Sequence, residues 1–166
     1  MGATEERVKK LKLVIDQFNQ AGLIFDAKAT TEEVILIQKQ ALLRTKVPDL
    51  TVGLNLNESI SLLIQRTCHA EADMLKKDFK ISDKKFWWLK VEALGITRNW
   101  SELEKFAKSK KSPIGYRPFI EACISNGSRG EAAKYIERVT KEEQVIIITV
   151  DLYIIMSCSQ PCSQTF

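Results

Sequence analysis

Glycine and proline are scarce in this sequence, with seven and four residues among 166. Average usage would give roughly 20 of the two together. Because tight turns depend on these residues, their scarcity argues against a β-sandwich or barrel and favours helices. A long apolar run is also missing. The best candidate, Val145 to Met156, has twelve residues interrupted by Asp151, and a bilayer span needs about 18.

Signals for export and for disulfide formation are missing as well. The first residues lack the apolar core of a signal peptide. Glu6 stands where a myristoylation motif needs serine or threonine. The four cysteines, at positions 68, 123, 158 and 162, are too scattered to suggest a disulfide framework. We therefore expect a cytosolic protein with reduced thiols.

Residues that carry chemistry are few. The single histidine, His69, follows Cys68 directly, and neighbours on a helix point about 100° apart, so the two do not form a nucleophile–base pair. One histidine without a C-x-x-C motif leaves a zinc site short of ligands. The phosphate-binding glycine loops of nucleotide-binding proteins do not occur. The sequence thus predicts a protein that is not an enzyme, with no catalytic residue, cofactor or metal.

Helix signals fill the first third of the chain. Apolar residues make up 45% and charged residues 28%, as in ordinary globular proteins. The periodicity predicts a first helix from Thr4 to Ala21, stopped by Gly22. It predicts a second helix that starts at Thr30 in a capping box with Glu33.

From about residue 57 the pattern predicts a series of short helices joined by short loops. Asn57 and Asn99 are the expected caps of two of them, Gly95 is expected to end the helix that follows Ser82, and Pro118 falls in a first helical turn. Short connections make successive helices antiparallel neighbours. We therefore predict an all-α fold, an α-solenoid of stacked antiparallel helix pairs over residues 1–144. Residues 145–166 combine an apolar run with a Ser/Gln-rich end, which indicates a divergent, poorly ordered tail.

Positive charge is concentrated in one region. The whole chain has a net charge of +4, but Met74 to Lys111 contains eleven Lys/Arg and five Asp/Glu. Such a run can be a solvated helix face, a face for a protein partner, or a surface for acidic lipid or nucleic acid. Phe86, Trp87 and Trp88 lie at helical spacing, which indicates core residues rather than a base-stacking platform. We therefore expect no nucleic-acid binding.

Trp87 and Trp88 are the most informative pair. Adjacent residues cannot both face the same side of a helix. Either both are covered, as inside a solenoid, or one of them lines a partner surface together with Lys84 and Lys85.

Several sequence blocks follow one another at fixed separations, and the Trp-Trp and Ser-Pro-Ile-Gly-Tyr blocks are specific. They are Ala27–Thr30, Asp83–Lys90, Asn99–Phe106, Lys110–Glu121 and Glu131–Tyr135. Together they resemble the C-terminal region of the vacuolar protein sorting-associated protein 16 family, whose members are core subunits of the HOPS and CORVET tethering complexes.

The resemblance implies a noncatalytic α-solenoid that binds vacuolar protein sorting-associated protein 33, a Sec/Munc-type protein, and supports SNARE-mediated fusion. It also implies further HOPS or CORVET subunits as partners, a peripheral location on late endosomes and lysosomes or vacuoles, and only indirect membrane contact. Within the family the partner surface includes the positions of Ala29 and Lys85. With their neighbours Lys84 and Trp88, these are the predicted partner-binding residues. The family commonly has arginine where Lys85 stands.

The chain departs from the family pattern in two ways. Members are several times longer, with a β-propeller and further solenoid ahead of this region, and they continue with amphipathic helices after the position of Gln144. The sequence is therefore expected to be a fragment or alternative product, truncated at its N-terminus.

Overall fold

The computed structural model of the protein describes residues 2–140, and these residues form helices joined by turns and short loops, without a strand. The prediction of an all-α fold is confirmed. The predicted tail, residues 145–166, lies outside the described residues. The eight helices of the described part are α1 (Gly2–Gln20), α2 (Ile24–Leu43), α3 (Leu56–Gln65), α4 (His69–Asp78), α5 (Asp83–Ile96), α6 (Trp100–Ser109), α7 (Arg117–Ser125) and α8 (Arg129–Ile136).

Helix α5 lies at the centre of the packing. It contacts α3, α6 and α7, while α4 packs on α3 and α8 packs on α7. One continuous apolar core runs from the end of α2 to the residue Val139 beyond α8. Helices α1 and α2 form a separate N-terminal hairpin, and α1 contributes no buried residue to the structure.

Polar contacts connect the N-terminal hairpin to the remainder of the chain. Gln40 of α2 is completely buried. Its Nε2 donates to the carbonyl of Leu54 at 2.6 Å and to the hydroxyl of Ser59 at 2.8 Å, while its Oε1 accepts from the amide of Gly53 at 2.9 Å. Both the NH2 group and the carbonyl oxygen of the Gln40 side chain therefore have hydrogen-bond partners between Gly53 and Ser59, so Gln40 holds the loop before α3 against α2.

Two of the predicted helix starts are wrong, and each error has a local cause. Helix α2 begins at Ile24, so Thr30 lies inside the helix, where its hydroxyl donates to the carbonyl of Asp26 at 2.8 Å instead of capping. Helix α3 begins after Asn55, two residues ahead of the expected cap Asn57. The Asn55 side chain accepts from the amide of Glu58 in a complete capping box.

Gly95 does not end α5, contrary to the prediction. It lies one residue before the last residue of the helix, where an added Cβ would come within 3.1 Å of the Cβ of Ala122 and 3.2 Å of Nδ2 of Asn126. Glycine here lets α5 and α7 approach closely. The expected cap at Asn99 and the first-turn position of Pro118 are confirmed.

Five helices end with the same turn, which explains how the chain folds with so few glycines. In each, a residue with positive φ follows the C-cap, and the next amide donates to the carbonyl five residues earlier at 2.8–3.0 Å. Glycine occupies this position after α1 and α7. Ordinary residues occupy it after α3, α4 and α5, namely Thr67, Lys80 and Arg98.

Of these three residues, Thr67 has the highest conformational energy, because a β-branched side chain is strained at its φ of +60°. We expect Thr67→Gly to stabilise the protein by about 0.5–1 kcal/mol, since glycine adopts this backbone conformation freely. Thr97→Gly is the matched control: Thr97 has a right-handed φ of −79°, so glycine should destabilise there. Urea denaturation curves of the two variants must shift in opposite directions. A shift in the same direction would contradict the assignment of strain.

Candidate functional site

At the beginning of α5, buried and exposed side chains follow one another directly in the sequence. Phe86 and Trp87 are buried, whereas Lys84, Lys85 and Trp88 are exposed. Successive helical residues point about 100° apart, so one run of sequence supplies both the core and an outer surface.

The inward side of α5 belongs to an aromatic cluster. The Trp87 ring lies 4.0 Å from that of Phe106 and 6.3 Å from that of Phe119, measured between centroids. Phe119 in turn lies 5.3 Å from Tyr135. The cluster therefore joins α5, α6, α7 and α8, and it fixes the rotation of α5 about its axis.

The outward side of α5 carries a continuous stripe. Lys84 and Lys85 precede Trp88 by four and three residues and share its face. Trp88 is 48% exposed, and the stripe continues through the exposed residues Glu92 and Ile96, the latter 53% exposed. We call these five residues the α5 stripe. Of the two alternatives for the tryptophan pair, Trp87 is core and Trp88 is at the surface.

A shallow groove between α5 and α7 borders the stripe. Trp88, Val91 and Ile96 form its α5 side, and Pro118, Ala122 and Ser125 form its α7 side, with Glu92 and Glu121 at the rim. Sequence reasoning missed Ile96 because Gly95 was taken as the helix end. The spacing of Trp88, Glu92 and Ile96, four residues apart each time, is the signal that would have found it.

Ala29 lies on a different helix, α2, and is exposed. Two residues earlier, Ala27 is buried. Phe25, one helical turn before Ala29 on the same face, is 84% exposed, and the adjacent Ile24 is 75% exposed. The structure thus brings Lys84, Lys85 and Trp88 together on α5 and places Ala29 on the N-terminal hairpin beside an apolar tip that the sequence analysis did not single out.

The surroundings of His69 and Cys123 are those of structural rather than reactive residues. Burial lowers the pKa of His69, with a smaller contribution from Lys90 in the same direction. Burial also raises the pKa of the Cys123 thiol to about 11, which keeps it protonated at neutral pH. Among residues 2–140 no group of three or more histidine, cysteine or acidic side chains could hold a metal ion. In the same residues no helix is long and apolar enough to span a membrane.

Comparisons with known proteins agree with the sequence blocks. A family model described as "Vps16, C-terminal region" matches residues 1–157. The vacuolar protein sorting-associated protein 16 homolog of Dictyostelium discoideum is 36% identical over 140 residues, which is 82% of this chain and 17% of that protein. The homolog of Drosophila melanogaster is 36% identical over 143 residues, 86% of this chain and 17% of that protein.

A probable homolog in Schizosaccharomyces pombe is 39% identical over 120 residues, 72% of this chain and 14% of that protein. The chain therefore matches less than a fifth of the length of these relatives. Since the family model covers nearly the whole chain, including all described helices, the chain belongs to the family defined by the C-terminal region of vacuolar protein sorting-associated protein 16.

Proposed function

We propose that this chain is a noncatalytic scaffold that forms part of a HOPS- or CORVET-type tethering complex in transport from endosomes to lysosomes or vacuoles. Family membership supports this proposal, since the relatives carry vacuolar protein sorting in their names. In the proposal the packed helix pairs are a segment of an α-solenoid over residues 1–144, and residues 145–166 are a separate tail. The location is cytoplasmic and peripheral on late endosomes and lysosomes or vacuoles.

The proposed direct partner is vacuolar protein sorting-associated protein 33, the Sec/Munc-type protein. One observation carries this choice: all four predicted partner-binding residues, Ala29, Lys84, Lys85 and Trp88, are exposed, while Ala27, Phe86 and Trp87 close to them in sequence are buried. None of these four is therefore needed for the core. Other HOPS or CORVET subunits would bind elsewhere on the chain.

The chemistry of the α5 stripe suits a protein partner. A half-exposed tryptophan beside a groove can act as an apolar anchor, a role in which tryptophan is enriched at interfaces. Lys85 forms no ion pair with the described residues, so its ammonium is free to pair with an acidic or carbonyl group of the partner. At Ala29 the small side chain permits close approach of a second surface, and Phe25 adds apolar area one turn away.

We expect Ala29→Asp and Lys85→Glu each to lower affinity for the Sec/Munc-type partner by at least tenfold, because one buries an unpaired charge in the interface and the other places a like charge opposite an acidic surface. The measurement is co-purification of the full chain with the partner, followed by titration of the purified proteins.

Ala133→Asp and Lys12→Glu are the matched controls. Both replace an exposed residue of the same type on helices outside the site, α8 and α1. They should bind like the parent chain, and all four variants should keep the parent's helical circular dichroism. If the folded parent fails to bind, or if the controls lose binding equally, the proposed interface is wrong.

A further inference from the structure

Three helix ends meet at one edge of the molecule. The loop from α4 to α5 is short, so the end of α4 adjoins the start of α5. Lys76 on α4 pairs with Asp83 at 2.5 Å, and its Nζ lies 4.9 Å from the centroid of the Phe86 ring. From the other side, Phe106 on α6 contacts Trp87. The last turn of α6 therefore lies beside the second turn of α5, and Lys110, just after α6, is near enough to Asp83 at the start of α5 to affect its carboxyl group electrostatically.

This arrangement gathers lysines from separate parts of the sequence. The end of α4 and its loop bring Lys77 and Lys80, the first turn of α5 brings Lys84, and the segment after α6 brings Lys110 and Lys111. All five are exposed. We call these five residues the lysine edge.

Acidic residues near the lysine edge are already engaged. Asp83 is paired with Lys76, whose hydrogen bond and charge lower the pKa of the Asp83 carboxyl group, and the charge of Lys110 makes a smaller contribution in the same direction. Asp78 is paired with Lys39 at 2.5 Å on the α2 side. None of the five lysines forms an ion pair with the described residues, so the edge carries an excess of positive charge that the fold does not neutralise.

We propose that the lysine edge binds directly to a membrane surface rich in acidic phospholipid headgroups. This goes beyond the proposed function, in which membrane contact is indirect, and it concerns an edge next to the protein-partner surface, with Lys84 at the border between them. No helix of the described residues could span a membrane, so contact of this part of the chain would be peripheral and electrostatic.

Residue type and position favour a lipid surface over a protein or a nucleic acid. All five side chains are lysines, which act as strongly hydrated point charges without the planar fork that arginine offers to a defined carboxylate or phosphate. They lie at or near helix ends and in the segments between helices, and mobile headgroups can pair with such charges without a fixed arrangement. Trp88, which shares a face with Lys84, is the one exposed aromatic side chain of the described residues near them, and a single tryptophan beside the α5–α7 groove is not a row of base-stacking side chains.

The test is co-sedimentation of the full chain with vesicles of phosphatidylcholine alone and of phosphatidylcholine with about 30% phosphatidylserine. We expect binding to the second vesicle only, and its loss as salt is raised to about 0.5 M. Each lysine near an acidic membrane raises partitioning about fivefold, so the triple variant Lys77→Gln, Lys110→Gln, Lys111→Gln should partition roughly 100-fold less.

The control is the triple variant Lys9→Gln, Lys10→Gln, Lys12→Gln on α1, which removes the same net charge from another exposed surface. It should retain most of the binding. An equal loss in both triple variants would mean that net charge alone is responsible, and this would overturn the proposal. Equal affinity of the parent for a short DNA duplex, lost in the same lysine-edge variant, would also overturn it, as would binding to neutral vesicles. Unchanged co-purification of the lysine-edge variant with the Sec/Munc-type protein would keep the two proposals distinguishable.

Discussion

Trp87→Ala is expected to destabilise the protein by about 3–5 kcal/mol, the range found when a large buried aromatic side chain is replaced by alanine. Trp87 is only 7% exposed and stacks against Phe106 with 4.0 Å between ring centroids. Removing the indole leaves a cavity where α5, α6 and α7 meet, and Phe119 loses its edge contact as well. Urea denaturation followed by far-ultraviolet circular dichroism measures the change.

The neighbouring tryptophan provides the control. Trp88→Ala changes the same residue type on the same helix, but the Trp88 side chain is 48% exposed, so the loss should stay below about 1 kcal/mol. It should instead weaken binding of the proposed Sec/Munc-type partner. If the two alanine variants are equally unstable, the orientation of α5 described above is incorrect.

Gln40→Leu is expected to destabilise the protein by about 2–4 kcal/mol although leucine is close in size and more apolar. The substitution removes three hydrogen bonds, and the completely buried Ser59 hydroxyl, the carbonyl of Leu54 and the amide of Gly53 all lose their side-chain partner. The expected result combines a lower denaturation midpoint with faster hydrogen exchange of the Gly53 amide, because the loop before α3 is released from α2.

Gln38→Leu is the matched control, since Gln38 lies two residues earlier on α2 and is exposed. Its effect should remain within about 0.5 kcal/mol. Gln40→Glu keeps the acceptor but replaces the donor by a buried carboxylate oxygen, so it should be at least as destabilising as leucine. A harmless Gln40→Glu would show that water reaches this position.

Helix content and the approximate positions of the helices were predictable because they depend on local signals. Ser82 accepts from the amide of Lys85, and Asn99 accepts from the amide of Glu102, as their spacing before apolar periodic runs indicates. The two wrong starts have different causes, because α2 begins after Leu23 without any side-chain cap, whereas two asparagines compete at the start of α3. Thr30 has the capping pattern but lies within a longer helix, and Asn57 yields to Asn55, whose partner Glu58 completes the box.

Part of the candidate site was also predictable, for a specific reason. Two adjacent tryptophans must diverge on a helix, so the sequence requires that at most one of them faces a given neighbour. Which one is buried depends on α6 and α7, whose residues Phe106 and Phe119 surround Trp87. The groove beside Trp88 depends on Gly95, because the absence of a side chain there lets Ala122 of α7 approach α5 closely. The sequence of α5 alone does not indicate that α7 packs at this point.

The sequence alone determined the all-α class, the absence of nucleotide-binding glycine loops, and the family, because these rest on composition, periodicity and specific blocks of residues. Tertiary structure decided which side of α5 faces outward and that lysines from α4, α5 and the end of α6 share one edge. It also decided that a buried glutamine connects α2 to the loop before α3. These features join residues distant in sequence, and periodicity along one helix carries no information about which neighbouring helix covers each face.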